Sequence, residues 1–135
     1  MGPAMHRAIT LLIAIICLAA PAAVLGQGAA DYFARGNAAF ERADYDKAIA
    51  DYNRVLTLLP NSAATYCDRG AAWYKKGKYD KAMADLSQAL ALDPRLARAY
   101  YNRGLVWYGR GDLDRAIADY DQAISHASRA ARCGS

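Results

Sequence analysis

Residues 66–94 read YCDRGAAWYKKGKYDKAMADLSQALALDP. Thirty-four residues to either side the same letters return in phase. Gly70 is matched by Gly36 and Gly104, Tyr66 by Tyr32 and Tyr100, and Arg69 by Arg35 and Arg103. Ala82 is matched by Ala48 and Ala116, Asp85 by Asp51 and Asp119, and Pro94 by Pro60. A fixed period of 34 in a chain of 135 residues describes one unit used three times. Such units cannot bury their apolar faces alone and must stack on one another.

Each unit reads as two helices. The first covers 29–42, 63–76 and 97–110, and the second 45–58, 79–92 and 113–126. The second helix carries the clearer period: Ala48, Ile49, Tyr52, Val55 and Leu56 form one apolar face, repeated from Ala82 to Leu90 and from Ala116 to Ile124. Asp44 and Asp112 are placed to cap this helix, whereas Lys78 stands at the same point in unit two. Pro60 and Pro94 end it. Gly77 and Gly111 end the first helix, with Ala43 in their place in unit one. Gly36, Gly70 and Gly104 fall inside helices, where glycine costs about 1 kcal/mol relative to alanine. Close approach of the facing helix, with Ala48, Ala82 and Ala116 as small partners, is the expected offset. Arg35, Arg69 and Arg103 each precede an aspartate by sixteen residues, and the spacing predicts Arg–Asp pairs across the hairpin rather than a basic ladder for an acidic ligand.

Tyr66, Gly70, Trp73, Gly77, Tyr79, Ala82, Leu86, Ala89 and Pro94 together make this pattern closely similar to the tetratricopeptide repeat family. Departures are Ala39 in the Trp column, Val55 in the second Ala column, Leu113 for the Tyr and Ser128 for the last Pro. The resemblance covers residues 29–128. It implies an all-α superhelix, a solenoid of three antiparallel helix pairs whose first helices line a concave groove. The resulting division is 1–26 as a signal peptide, 27–128 as three repeats (roughly 29–62, 63–96 and 97–130) and 129–135 as a short tail.

The first 26 residues differ in kind. His6 and Arg7 precede the apolar stretch 8–20, Pro21, Ala22 and Ala23 break the run, and Gly26 is a small residue suited to cleavage. The apolar stretch falls short of the ~20 residues that span a bilayer. The expectation is a periplasmic or secreted protein; the alternative is an uncleaved anchor with the repeats facing outward. Membrane association is expected only if the leader is kept. Cleavage leaves Cys67 and Cys133, which an oxidising compartment allows to form a disulfide or an intermolecular bridge, or which stay as free thiols.

The net charge is +4, with acids and bases interspersed. No basic cluster tracks a phosphate backbone, so nucleic acid is not an expected partner. After the leader the only histidine is His126, and no Cys pair, Gly-rich phosphate loop or nucleophile–base set occurs. No enzyme activity, metal or cofactor is expected.

That leaves binding. By helical phase, the first helices turn Phe33, Asn37, Phe40 and Glu41 away from the second helices, followed by Cys67, Ala71, Tyr74 and Lys75, then Tyr101, Leu105 and Tyr108, with Asp68, Arg98 and Asn102 at the border. The expected groove residues are Phe33, Asn37, Phe40, Cys67, Tyr74, Lys75, Arg98, Tyr101, Asn102 and Tyr108. Aromatic rings beside polar groups suit a peptide or amphipathic helix from a protein partner; alternatively they seal the stack. The resemblance also points to a basic-and-Asn clamp for a peptide carboxylate, and only part of it is present, since Phe33 and Asp68 stand at two of its places. A homo-oligomer joined through an uncapped last helix is the second expectation, since the seven residues after Ser128 are too few to cover that helix.

Overall fold

The computed structural model describes the backbone of residues 21–134 and the side chains of 28–134. The apolar segment of the expected leader lies outside the described residues. Among the described residues six helices follow one another: α1 Pro21–Glu41, α2 Tyr45–Leu58, α3 Ala63–Lys75, α4 Tyr79–Leu92, α5 Ala97–Gly109 and α6 Leu113–Cys133. Hairpins α1/α2, α3/α4 and α5/α6 stack through α2 on α3 and α4 on α5. The first helices also touch one another, α1 to α3 and α3 to α5, whereas among the described residues the second helices do not. That asymmetry curves the stack and puts α1, α3 and α5 on its inner side. The fold is the all-α repeat superhelix expected from the sequence.

Both terminal helices are longer than the periodicity predicts. α1 covers Pro21–Glu41 where 29–42 was expected, and its proline stands in the first turn, where a missing N–H is tolerated. At the other end, Ser128 replaces the helix-stopping proline, and Ala127, Ala130 and Ala131 carry α6 on to Cys133, through the expected tail. Asp44, Ser62 and Asp112 accept hydrogen bonds from the backbone N–H groups of Lys47, Thr65 and Arg115, while Lys78 supplies no side-chain cap. Among the described residues no helix is long and apolar enough to cross a membrane.

The in-helix glycines are close contacts, but not mainly with the alanines. A Cβ at Gly36 would lie 2.7 Å from Tyr52 Cε1, at Gly70 2.8 Å from Leu86 Cγ, and at Gly104 2.6 Å from Tyr120 Cε1. A large side chain one turn beyond each alanine lies against the glycine, and the alanines Ala48, Ala82 and Ala116 are buried beside it.

The Arg–Asp columns pair within each hairpin, with unequal quality. Arg69 Nε and Nη2 donate to Asp85 Oδ2 and Oδ1, both at 2.7 Å. Arg103 forks onto Asp119 at 2.7 and 2.8 Å. Arg35 comes no closer to Asp51 than 3.7 Å, and Asp51 Oδ2 is buried without a hydrogen-bond partner. Two predictions follow from these geometries. Arg69→Ala strands a buried carboxylate and lowers unfolding stability by about 3 kcal/mol, while Arg35→Ala costs clearly less; denaturant melts read both, and equal losses would contradict the pairing. The turn of unit one runs through Ala43 at φ 60°, where units two and three use Gly77 at 73° and Gly111 at 81°. A side chain in that region costs roughly 1–2 kcal/mol, so Ala43→Gly raises the melting temperature.

Candidate functional site

The inner side of the stack holds a cavity of about 330 Å³ between α1, α3 and α5. Asn37, Phe40 and Glu41 come from α1, Asp68 and Ala71 from α3, Arg98 and Asn102 from α5, and Tyr52 reaches in from α2. Tyr52 gets there because Gly36 leaves its ring room against α1. Its hydroxyl donates to Asn37 Oδ1 at 2.8 Å and so sets the amide of Asn37. Burial, and then the nearby Asp68 charge, push the Tyr52 phenol well up, keeping it a neutral donor.

Across the cavity Arg98 Nη1 lies 2.7 Å from Asp68 Oδ1. Burial pushes the Asp68 carboxyl above its usual value, and Arg98 pulls it back. With half of Arg98 exposed, the pair adds little stability; its effect is to cancel the one cation of the groove wall. Asn102 Nδ2 donates to Cys67 Sγ at 3.5 Å, and among the described residues the Asn102 side-chain oxygen and, on the facing wall, Asn37 Nδ2 have no hydrogen-bond partner. The site thus offers an amide donor and an amide acceptor beside the ring of Phe40.

Of the residues expected from helical phase, Asn37, Phe40, Arg98 and Asn102 converge on this cavity. Cys67 is a correction: it is fully buried, because α5 covers its column through Asn102, and burial pushes its thiol pKa up. It is packing, not groove surface. Cys67 and Cys133 are both free thiols, the second exposed. Phe33 is half-buried with its ring centroid 6.1 Å from that of Tyr52. Tyr74 stacks on Tyr79 at 5.8 Å as Phe40 meets Tyr45 edge-on at 5.3 Å, so these rings also close their hairpins. Tyr108 finds Leu113 at the matching place and stays exposed; Tyr101 leans on Tyr120 but is also exposed, and Lys75 is exposed at the end of α3. Tyr52 was missed because it belongs to a second helix; its signal was the column it shares with Leu86 and Tyr120, one turn past each alanine. Among the described residues no group of His, Cys, Asp and Glu could hold a metal ion.

Curved helical hairpins with an inner groove define a repeat module, and the comparisons agree. Family profiles for the TPR repeat match residues 36–77 and 70–111, and one for the tetratricopeptide repeat matches 97–129. The chain belongs to the tetratricopeptide repeat family. No curated protein matches it. Among solved structures it is similar to MamA, at 27% identity and a TM-score of 0.70, over 77% of this chain but only 61% of MamA. The TPR domain of Sgt2 from Aspergillus fumigatus matches at 29% identity with a TM-score of 0.71, over 74% of this chain and 66% of that one. The second TPR of Spaghetti (RPAP3), solved bound to the HSP90 peptide SRMEEVD, matches at 31% identity with a TM-score of 0.68, over 73% of this chain and 91% of its own.

Proposed function

We propose that the chain is an exported interaction module, not an enzyme, that takes a peptide or helix of another protein in the groove formed by α1, α3 and α5. The observation that carries this is the cavity between Asn37 and Asn102: two amide groups with spare hydrogen-bonding capacity face one space, beside the aromatic ring of Phe40. A peptide backbone presents a donor and an acceptor per residue and suits such a pair. The structure of RPAP3 with its bound peptide supports a peptide as the class of ligand. The acidic end of that peptide is a different matter. Here Asp68 occupies Arg98, and Glu41 adds a second carboxylate to the lining, so the groove favours a neutral or basic segment. Ala71→Arg fills the cavity from a half-buried position on α3. Peptides selected by display on the parent lose about tenfold or more in affinity for this variant, with unchanged helicity, and SRMEEVD binds no better than a scrambled control; equal binding by parent and variant would refute the groove reading.

Export rests on the sequence of the leader. Cleavage after Gly26 falls within α1 and leaves the rest of that helix, from Gln27, in the mature protein. N-terminal sequencing of the protein from its host therefore gives Gln27 first; a chain that still begins at Met1 in the membrane fraction establishes the anchor instead.

Self-association through the last helix is the second reading. It is favoured by Ile117 and Ile124, which are 58% and 65% exposed on α6.

A further inference from the structure

The internal joints of the stack state what the open face of α6 fits. Ile117 repeats Ile49 and Met83, and Ile124 repeats Leu56 and Leu90. Those earlier residues are covered by the next hairpin: Ile49 is 5% exposed, Leu56 and Leu90 are 8% exposed and Met83 is half-buried, against 58% and 65% for Ile117 and Ile124. The opposite face behaves in the same way. On α3 and α5, Ala72 and Val106 are completely buried by the preceding hairpin, while Ala38, at the same place on α1, is exposed.

An ion pair also spans each joint at the same place. Lys76 pairs with Asp46 across the first joint and Arg110 with Asp80 across the second. The next members of the two columns are Arg42, in the turn just past α1, and Asp114, in the first turn of α6; both are exposed and neither has an ion-pair partner among the described residues. Arg69 Nη1 also reaches back to Asn53 Oδ1 at 2.7 Å. The corresponding pair at the ends is Arg35, held only loosely by Asp51, with Asp121. Two positive groups on one end thus match two negative groups on the other. Asp31, where Thr65 and Ala99 stand in the internal joints, departs from the pattern.

We propose that the occupant of the open α6 face is a second copy of this chain, whose α1 seats there as α3 seats on α2 and α5 on α4. The proposal gives the self-association reading its register and rests on it. The contact is heterologous, each copy using α6 towards one neighbour and α1 towards the other, so copies add head to tail and the inner groove continues from one to the next.

The test uses protein with the N-terminus it carries in its host, followed by sedimentation velocity over a concentration series. The parent grows beyond a dimer. Ile124→Glu and Ala38→Arg, both at exposed positions and both checked for helicity, each weaken association by roughly tenfold or more, the scale of burying an unpartnered charge. Mixed in equal amounts, the two variants form a dimer that goes no further, because each supplies one intact face. Arg42→Glu weakens association and Asp114→Lys in the same chain restores it. A dimer that persists in Ala38→Arg, is abolished by Ile124→Glu and takes up none of the Ile124→Glu chain in the mixture is symmetric through α6; it overturns the head-to-tail register and leaves self-association standing. A parent that is monomeric up to its solubility limit overturns both.

Discussion

The spacing of the two helices in each hairpin rests on one contact: a large side chain of the second helix pressed on a glycine of the first. Tyr52 on Gly36, Leu86 on Gly70 and Tyr120 on Gly104 leave no room for even a methyl group. Everything else is set from that spacing. It brings Arg69 and Arg103 within forked hydrogen-bonding distance of Asp85 and Asp119. It also carries Tyr52 through to the inner side, where its hydroxyl orients Asn37. The helix-weakening residue is therefore repeated because the second helix cannot approach without it.

The character of the groove follows from which charges are already used. A basic residue on the inner wall suggests an anionic ligand until its neighbour is considered. Asp68 lies 2.7 Å from Arg98 and is held there by burial on one side and the guanidinium on the other. What is left for a ligand is two amides, a ring and a carboxylate. This module shares its fold with a structure that holds the peptide SRMEEVD, yet its own inner wall has Asp68 against its arginine and a second carboxylate at Glu41. Fold and ligand preference are separate properties, set by separate residues.

The period of 34 made the architecture legible, because glycine, tyrosine, arginine, alanine and aspartate columns constrain one another. Helical phase put Asn37, Phe40, Arg98 and Asn102 on the inner side, where they line one cavity, since that lining is a local consequence of the phase of the first helices. It failed for Cys67, whose exposure depends on the neighbouring unit: Asn102 and α5 cover it, while Tyr101 in the same column is open. It missed Tyr52, which reaches the groove from the other helix through a gap that only the glycine contact reveals. The ends of α1 and α6 were misplaced for a related reason, since the period describes the shared unit and is silent on how the first and last copies depart from it.

Unit one collects the weak links of the stack. Its turn holds Ala43 at a positive φ, its arginine stands off at 3.7 Å, and Asp51 Oδ2 has no partner. Where elements touch only their neighbours, opening is local and follows the poorest joint. The side of the channel built on α1 is therefore compliant, and those built on α3 and α5 are stiff. These weaknesses lie between α1 and α2, while Arg69–Asn53 and Lys76–Asp46 tie α2 to the second hairpin, so α1 is the element that yields first.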